Sequence, residues 1–171
     1  VSIYAASKKS GELISESYAH LFGIQCIGLR FFTVYGPWGR PDMATFIFTK
    51  RIIEGKEIEV FNKGKMKRDF TFIDDIVDGI MGSVNLKIKF EHRIYNLGNN
   101  NPEDLSNFIN LIEETLGIKA KKKLLPIQPG DVKETFAEIS ESTKDLNFMP
   151  KVNLEEGIPK FIQWYKSYYG I

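Results

Sequence analysis

The sequence is poor in the residues that most directly announce a function. Its 171 residues include one cysteine, Cys26, and two histidines, His20 and His92. A single cysteine excludes an internal disulfide and a cysteine-built metal centre, and two histidines far apart in sequence share no ligand spacing. Net charge is only +1, so no bulk electrostatic pull toward nucleic acid or a membrane surface is present. No apolar run approaches the roughly 18 residues that a spanning helix needs, and no signal peptide shows, so a cytosolic protein without membrane or nucleic-acid partners is expected. A glycine-rich phosphate turn between strand and helix is also missing.

What is there is a soluble α/β pattern. Hydrophobic residues make up 43% and charged residues 26%, ordinary values for a globular chain. The period of Leu13, Ile14, Tyr18, Leu21 and Phe22 predicts a helix over Tyr4–Phe22, stopped by Gly23. The apolar run from Cys26 to Val34 predicts a strand covered on both faces, as in a parallel sheet, with Cys26 inside it. Two Gly and two Pro within Tyr35–Pro41 predict a loop. A helix over Thr45–Glu54 follows. Strands at Glu57–Phe61 and Asp69–Phe72 enclose Asn62-Lys63-Gly64-Lys65, which predicts a hairpin. Further on, the pattern predicts a helix capped by Asp74 or Asp75, a strand at Ile94–Leu97, a helix over Ser106–Leu116 and a strand at Lys122–Leu125. A tight turn at Gln128–Asp131 and helices at Ser142–Leu146 and Leu154–Tyr169 complete the reading. Helices alternating with short strands argue an α/β fold. Lys119, Lys121, Lys122 and Lys123 read as solvated surface.

Chemistry enters at Tyr4-Ala5-Ala6-Ser7-Lys8. Residues four apart on a helix share a face, so the phenol and the ammonium can point into one pocket. A free phenol, with a pKa near ~10, is a poor base at neutral pH. A neighbouring cation favours its phenolate, and a tuned Tyr can then take a proton from an alcohol. On its own the pair reads first as an amphipathic helix with an exposed lysine, since a Tyr and a Lys four apart recur by chance.

Three later stretches complete a series: Arg30-Phe31-Phe32-Thr33-Val34-Tyr35-Gly36-Pro37-Trp38-Gly39-Arg40-Pro41-Asp42-Met43, then Gly64–Asp75 with Arg68-Asp69-Phe70 inside it, then Gln128-Pro129-Gly130-Asp131-Val132. Taken in order with Tyr4-Ala5-Ala6-Ser7-Lys8, they resemble the nucleotide-sugar epimerases and dehydratases of the extended short-chain dehydrogenase family, over Val1 to about Tyr169. The stretch Phe31–Met43 is most similar to the glucuronate 4-epimerase branch.

The resemblance implies the C-terminal part of a Rossmann-like fold plus a small α/β substrate domain. Residues 1–35 would be a remnant of the NAD-binding domain. Residues 36–171 would be mainly the nucleotide-sugar domain, with some segments returning to the Rossmann sheet. It implies that the chain is truncated at its N-terminus and complete at its C-terminus, without the main NAD-binding segment and inactive alone. Tyr4 would be the base toward the sugar 4-hydroxyl, and Lys8 would tune it and bind the nicotinamide ribose. Thr33, where many relatives have Asn, and Arg40 would hold the sugar carboxylate; a β-branched strand end and a surface arginine are their plain readings. Arg68 would bind the UDP diphosphate, with Gln128 standing where galactose epimerases carry a second arginine. Val60 and Phe61 would pack the uracil, although Phe61 reads equally as core. Asp131 would hold the uridine ribose, or be a turn residue. The implied partners are a UDP-sugar and a second copy in a homodimer or swapped oligomer. A dehydratase or decarboxylase of the same fold and a non-catalytic UDP-binding or oligomerising remnant stay open.

Overall fold

In the computed structural model, residues 2–87, 89–128 and 131–171 are described. The elements are α1 (Ile3–Phe22), β1 (Cys26–Phe31), β2 (Thr33–Tyr35), α2 (Ala44–Ile53), β3 (Glu57–Val60), β4 (Lys67–Phe72), α3 (Ile73–Val84), β5 (His92–Leu97), β6 (Pro102–Asp104), α4 (Leu105–Leu116), β7 (Lys121–Leu124), α5 (Ser140–Leu146) and α6 (Leu154–Tyr169). The α/β class and nearly every predicted element are present. The short strand β6 begins at Pro102, the last residue of Asn99-Asn100-Asn101-Pro102, a stretch whose composition reads as loop.

The run from Cys26 is two strands rather than one. β1 pairs in parallel with β5, whereas β2 pairs in parallel with β4. The break falls at Phe32, whose N–H donates to the Leu97 carbonyl at 3.2 Å. Nor is the run covered on both faces: Cys26 is half-buried, and Arg30 and Phe31 are exposed.

The predicted hairpin is absent from the described pairings. Asn62 and Lys63 take left-handed backbone angles, with φ of 48° and 53°, in a short 3-10 turn over Phe61–Gly64. That turn sends the chain away from β3 rather than back along it. β3 instead pairs in parallel with β7, setting Glu57 opposite Lys121 and Glu59 opposite Lys123. Opposite charges across a strand pair favour that register. β4 lies between β2 and an antiparallel β6.

Two apolar cores result. The larger gathers Phe46, Ile52, Ile58, Phe70, Phe108 and Phe161 between α2, α4, α6 and the β2–β4 pair. The smaller gathers Ile76, Tyr95, Leu97, Ala137, Leu146 and Phe148 against the inner face of β1. Helix α1 begins at Ser2, whose hydroxyl accepts from Ala5 N–H at 3.1 Å, and ends on Gly23 with φ 64°. Of its apolar stripe only Ala19 is buried, while Ile3, Ile14, Leu21 and Phe22 are all more than half exposed.

The aspartates at the start of α3 are not its cap. The cap position is Phe72, without a side-chain bond. Asp75 is 3% exposed, and its carboxylate accepts from Lys151 N–H at 3.0 Å and Val152 N–H at 3.1 Å. Buried carboxylates need such donors, and these secure the segment that enters α6. The lysines near β7 are likewise more than solvated surface. Lys119 and Lys122 reach the buried Glu113 at 2.9 and 2.8 Å. Burial raises the pKa of Glu113, but these bonds and the Ala120 N–H outweigh it and hold the carboxyl below its ordinary value.

Candidate active site

Tyr4, Lys8, Glu12 and Ser15 fall on one stripe of α1 and line a groove of about 700 Å³ whose other wall is Ile27–Phe31 of β1. The Lys8 ammonium lies 5.4 Å from the centre of the Tyr4 ring, so the sequence expectation of a shared face holds. Tyr4 is 72% exposed, open to whatever occupies the groove.

The stripe is locked to the sheet by Glu12. Its two oxygens accept from Arg30 Nε at 2.5 Å and Nη2 at 2.7 Å, and Lys9 adds a bond at 2.9 Å. The hydrogen bonds from Arg30, then from Lys9, hold the Glu12 carboxyl at about 2. Around the groove Lys8, Lys9 and Arg30 face one carboxylate, and Glu12 already engages two of these three cations.

Thr33 opens β2, half-buried beside Phe70. Arg40 lies beyond the following turn, exposed, with a two-point bond to Asp42 at 3.0 and 2.6 Å. Asp42 hydrogen bonding is the main reason its pKa is raised, and Tyr4 is near enough to contribute in the same direction.

Arg68 and Asp131 also meet. Arg68 Nη2 donates to Asp131 Oδ1 at 2.8 Å, and Val132 N–H donates to the same oxygen at 2.9 Å. Gln128 is exposed, and its carbonyl accepts from Asp131 N–H at 3.1 Å; Pro129 and Gly130 of that predicted turn lie outside the described residues. Val60 is 3% exposed and belongs to the larger core, with Phe61 half-buried at its edge. The Val60 carbonyl accepts from Leu125 N–H at 2.9 Å, which places both residues beside the segment leading to Gln128.

One residue that positions this site escaped the sequence reading. Asp69 is fully buried. It accepts from Asn99 N–H at 2.6 Å, Asn100 N–H at 3.0 Å and Ala137 N–H at 2.9 Å, and from the Thr71 hydroxyl at 3.2 Å. Its own N–H donates to Thr135 at 3.0 Å. Asp69 therefore ties the segment that carries Asp131 to the strand that carries Arg68. The available signal was a carboxylate within the apolar strand Phe70-Thr71-Phe72, where burial demands several donors. Among the described residues, no group of three or more His, Cys, Asp or Glu side chains is placed to hold a metal ion, and no helix is long and apolar enough to cross a membrane.

The chain is thus an α/β fold with a Tyr–Lys stripe on a groove and a separate Arg68–Asp131 pair. The model of the NAD dependent epimerase/dehydratase family matches residues 1–98, and the chain belongs to that family. An uncharacterized protein of Methanocaldococcus jannaschii is 55% identical over 165 residues, covering 96% of this chain and 50% of that protein. UDP-glucuronate 4-epimerase 5 of Arabidopsis thaliana is 47% identical over 183 residues, covering 98% of this chain and 42% of the epimerase. The crystal structure of UDP-glucuronic acid 4-epimerase from Bacillus cereus, in complex with UDP-glucuronic acid and NAD, superposes with a TM-score of 0.92 at 34% identity, over 97% of this chain and 53% of that one. The chain thus spans about half the length of the relatives it matches.

Proposed function

We propose that the chain forms the nucleotide-sugar half and catalytic helix of an NAD-dependent UDP-glucuronate 4-epimerase, interconverting UDP-glucuronate and UDP-galacturonate. The observation that carries this reading is the pairing of Tyr4 and Lys8 on one wall of the groove. A phenol beside an ammonium suits proton removal from an alcohol, and an arginine beyond it suits a sugar carboxylate. The similarity to glucuronate epimerases from plants and Bacillus cereus adds support.

In this reading residues 1–35 belong to the dinucleotide domain. Residues 36–171 form mainly the substrate domain, with α3, β5 and α5 packed back toward β1. Arg68 takes the UDP diphosphate and Asp131 the ribose, while Phe61 offers an apolar edge to the uracil. Val60 supports that edge from inside the core, and Gln128 offers an uncharged hydrogen-bonding group near the phosphates. Thr33 and Arg40 grip the sugar carboxylate.

The groove suits NAD: Lys8 presents an ammonium to a ribose diol, and the single lining carboxylate, Glu12, is already neutralised by Arg30 and Lys9. Bound NAD supplies hydride acceptance and return at the sugar C4. Tyr4 takes the proton from the 4-hydroxyl, and later returns it to the oxygen when the sugar presents its other face. Lys8 sets its ammonium 5.4 Å from the centre of the Tyr4 ring, beside the reacting phenol. The apolar outer face of α1 is read as the surface on which a second copy docks.

The experiment is calorimetric titration of the purified chain with UDP, UDP-glucuronate and NAD, followed by a turnover assay. UDP-glucuronate binding that is weakened in R68A is the expected result. A folded chain that binds neither nucleotide overturns the reading.

A further inference from the structure

Trp38 occupies a backbone position that favours glycine. Its φ is 63°, and it is the third residue of a turn closed by Gly39 N–H on the Gly36 carbonyl at 3.1 Å. A second turn follows at once, closed by Met43 N–H on the Arg40 carbonyl at 3.1 Å. Arg40 therefore sits where two tight turns join, and its direction depends on how both are held.

The first turn is held at two points. At its stem, a Cβ on Gly36 would lie 2.4 Å from an Ile73 methyl, so the backbone there is pressed against the start of α3. At its tip, the Trp38 ring lies 5.4 Å from Trp164 and 5.4 Å from Tyr168. Those two rings are themselves stacked, 5.4 Å apart and 26° from parallel. They project from the end of α6, whose other face is anchored in the larger core by Ile158, Phe161, Ile162 and Tyr165.

Yet Trp38 is 75% exposed, so its ring does little to fill a core. Glycine would fit the turn with less backbone strain. What an indole adds at that position is a hold on α6. Resting on the reading of Arg40 as the carboxylate-binding residue, we propose that Trp38, Trp164 and Tyr168 form an aromatic clamp that fixes the loop over residues 36–43, making them positioning residues for the preference of the site for an acidic over a neutral sugar.

The clamp can be read without any ligand. Trp38 and Trp164 are the only two tryptophans in the chain, so their close pair should give an exciton couplet in circular dichroism. W38F and W164F should each abolish it, and Y168F should keep it. The consequence is read by titrating wild type, W38G, W164L and Y168F with UDP, UDP-glucuronate and UDP-glucose. Wild type should prefer UDP-glucuronate over UDP-glucose by about tenfold or more, the scale of one hydrogen bond to a charged group. W38G and W164L should bind UDP to within about twofold of wild type but lose roughly three- to tenfold of that preference, as a misdirected Arg40 would. Y168F, which retains the ring, should behave as wild type. Because Trp38 is mostly exposed, W38G opens no core and serves if W164L fails to fold. A wild-type chain without the couplet, or a preference unchanged in both W38G and W164L, overturns the clamp alone. A wild-type chain that binds neither UDP nor either sugar nucleotide overturns the functional reading, and the clamp's role falls with it.

Discussion

Replacing Asp69 by Ala should be among the most damaging single substitutions in the chain. The side chain is fully buried and accepts three backbone N–H bonds, from Asn99, Asn100 and Ala137, plus the Thr71 hydroxyl. Alanine leaves those donors without a partner, and each orphaned buried donor costs ~1–3 kcal/mol. Relaxation and water entry recover part of this, so a net loss of about 3–5 kcal/mol is expected. In a chain of this size 1 kcal/mol moves the melting temperature by ~2–4 °C, which gives a fall of roughly 6–20 °C. The milder D69N should lie between D69A and wild type: the amide carbonyl still accepts, but the amide nitrogen points a donor at donors. The assay is thermal and urea unfolding of wild type, D69N and D69A, followed by circular dichroism. D69A melting within about 2 °C of wild type would refute the view of Asp69 as the tie between its strand and the segment carrying Asp131.

Glu12 gives a pH-dependent test. Its folded pKa of about 2 lies below the ordinary 4.5, so its contribution to stability is present above the ordinary value and lost as pH falls toward the folded one. The stability gap between wild type and E12Q should therefore be open at pH 7 and close between about pH 5 and 2, as followed by urea midpoints. Gly157→Ala should run against helix propensity: alanine usually stabilises a helix by ~1 kcal/mol over glycine, but a Cβ here would lie 2.1 Å from the Tyr35 hydroxyl. A lower melting temperature is expected. Arg68→Ala should weaken UDP binding by roughly ten- to a hundredfold while leaving the melting temperature within a few degrees; an equal loss with uridine, which lacks the diphosphate, would count against the assigned role.

Helices and their glycine stops were legible in the sequence because their signals are local, whereas the cap read at Asp74 or Asp75 was not. Gly23 and Gly117 end their helices at φ 64° and 69°, as a glycine after an apolar stripe suggests. Strand partners were not legible. The turn at Asn62-Lys63-Gly64-Lys65 has hairpin composition, but two successive left-handed residues and the charge match between β3 and β7 decide the pairing, and β7 lies far along the chain. The break at Phe32 was hidden for a similar reason, since both strands are apolar and only their neighbours differ. Of the site, the Tyr4–Lys8 spacing could be read from helical period alone. That Arg68 would meet Asp131 rested on resemblance, and the roles of Asp69 and Asp75 depend on backbone N–H groups supplied by distant segments, which no local pattern reveals.

The break at Phe32 also has a mechanical consequence. One uninterrupted stretch of backbone carries β1 and Val34 of β2 into the smaller core and Tyr35 of β2 into the larger, with a single residue between the strands. An extended strand transmits displacement along its length, so there is no slack in which one core could loosen while the other stays intact. The two cores should lose their structure together, as one cooperative unit, and a small slide of β1 against the groove should be felt at Thr33 and at the turn that aims Arg40.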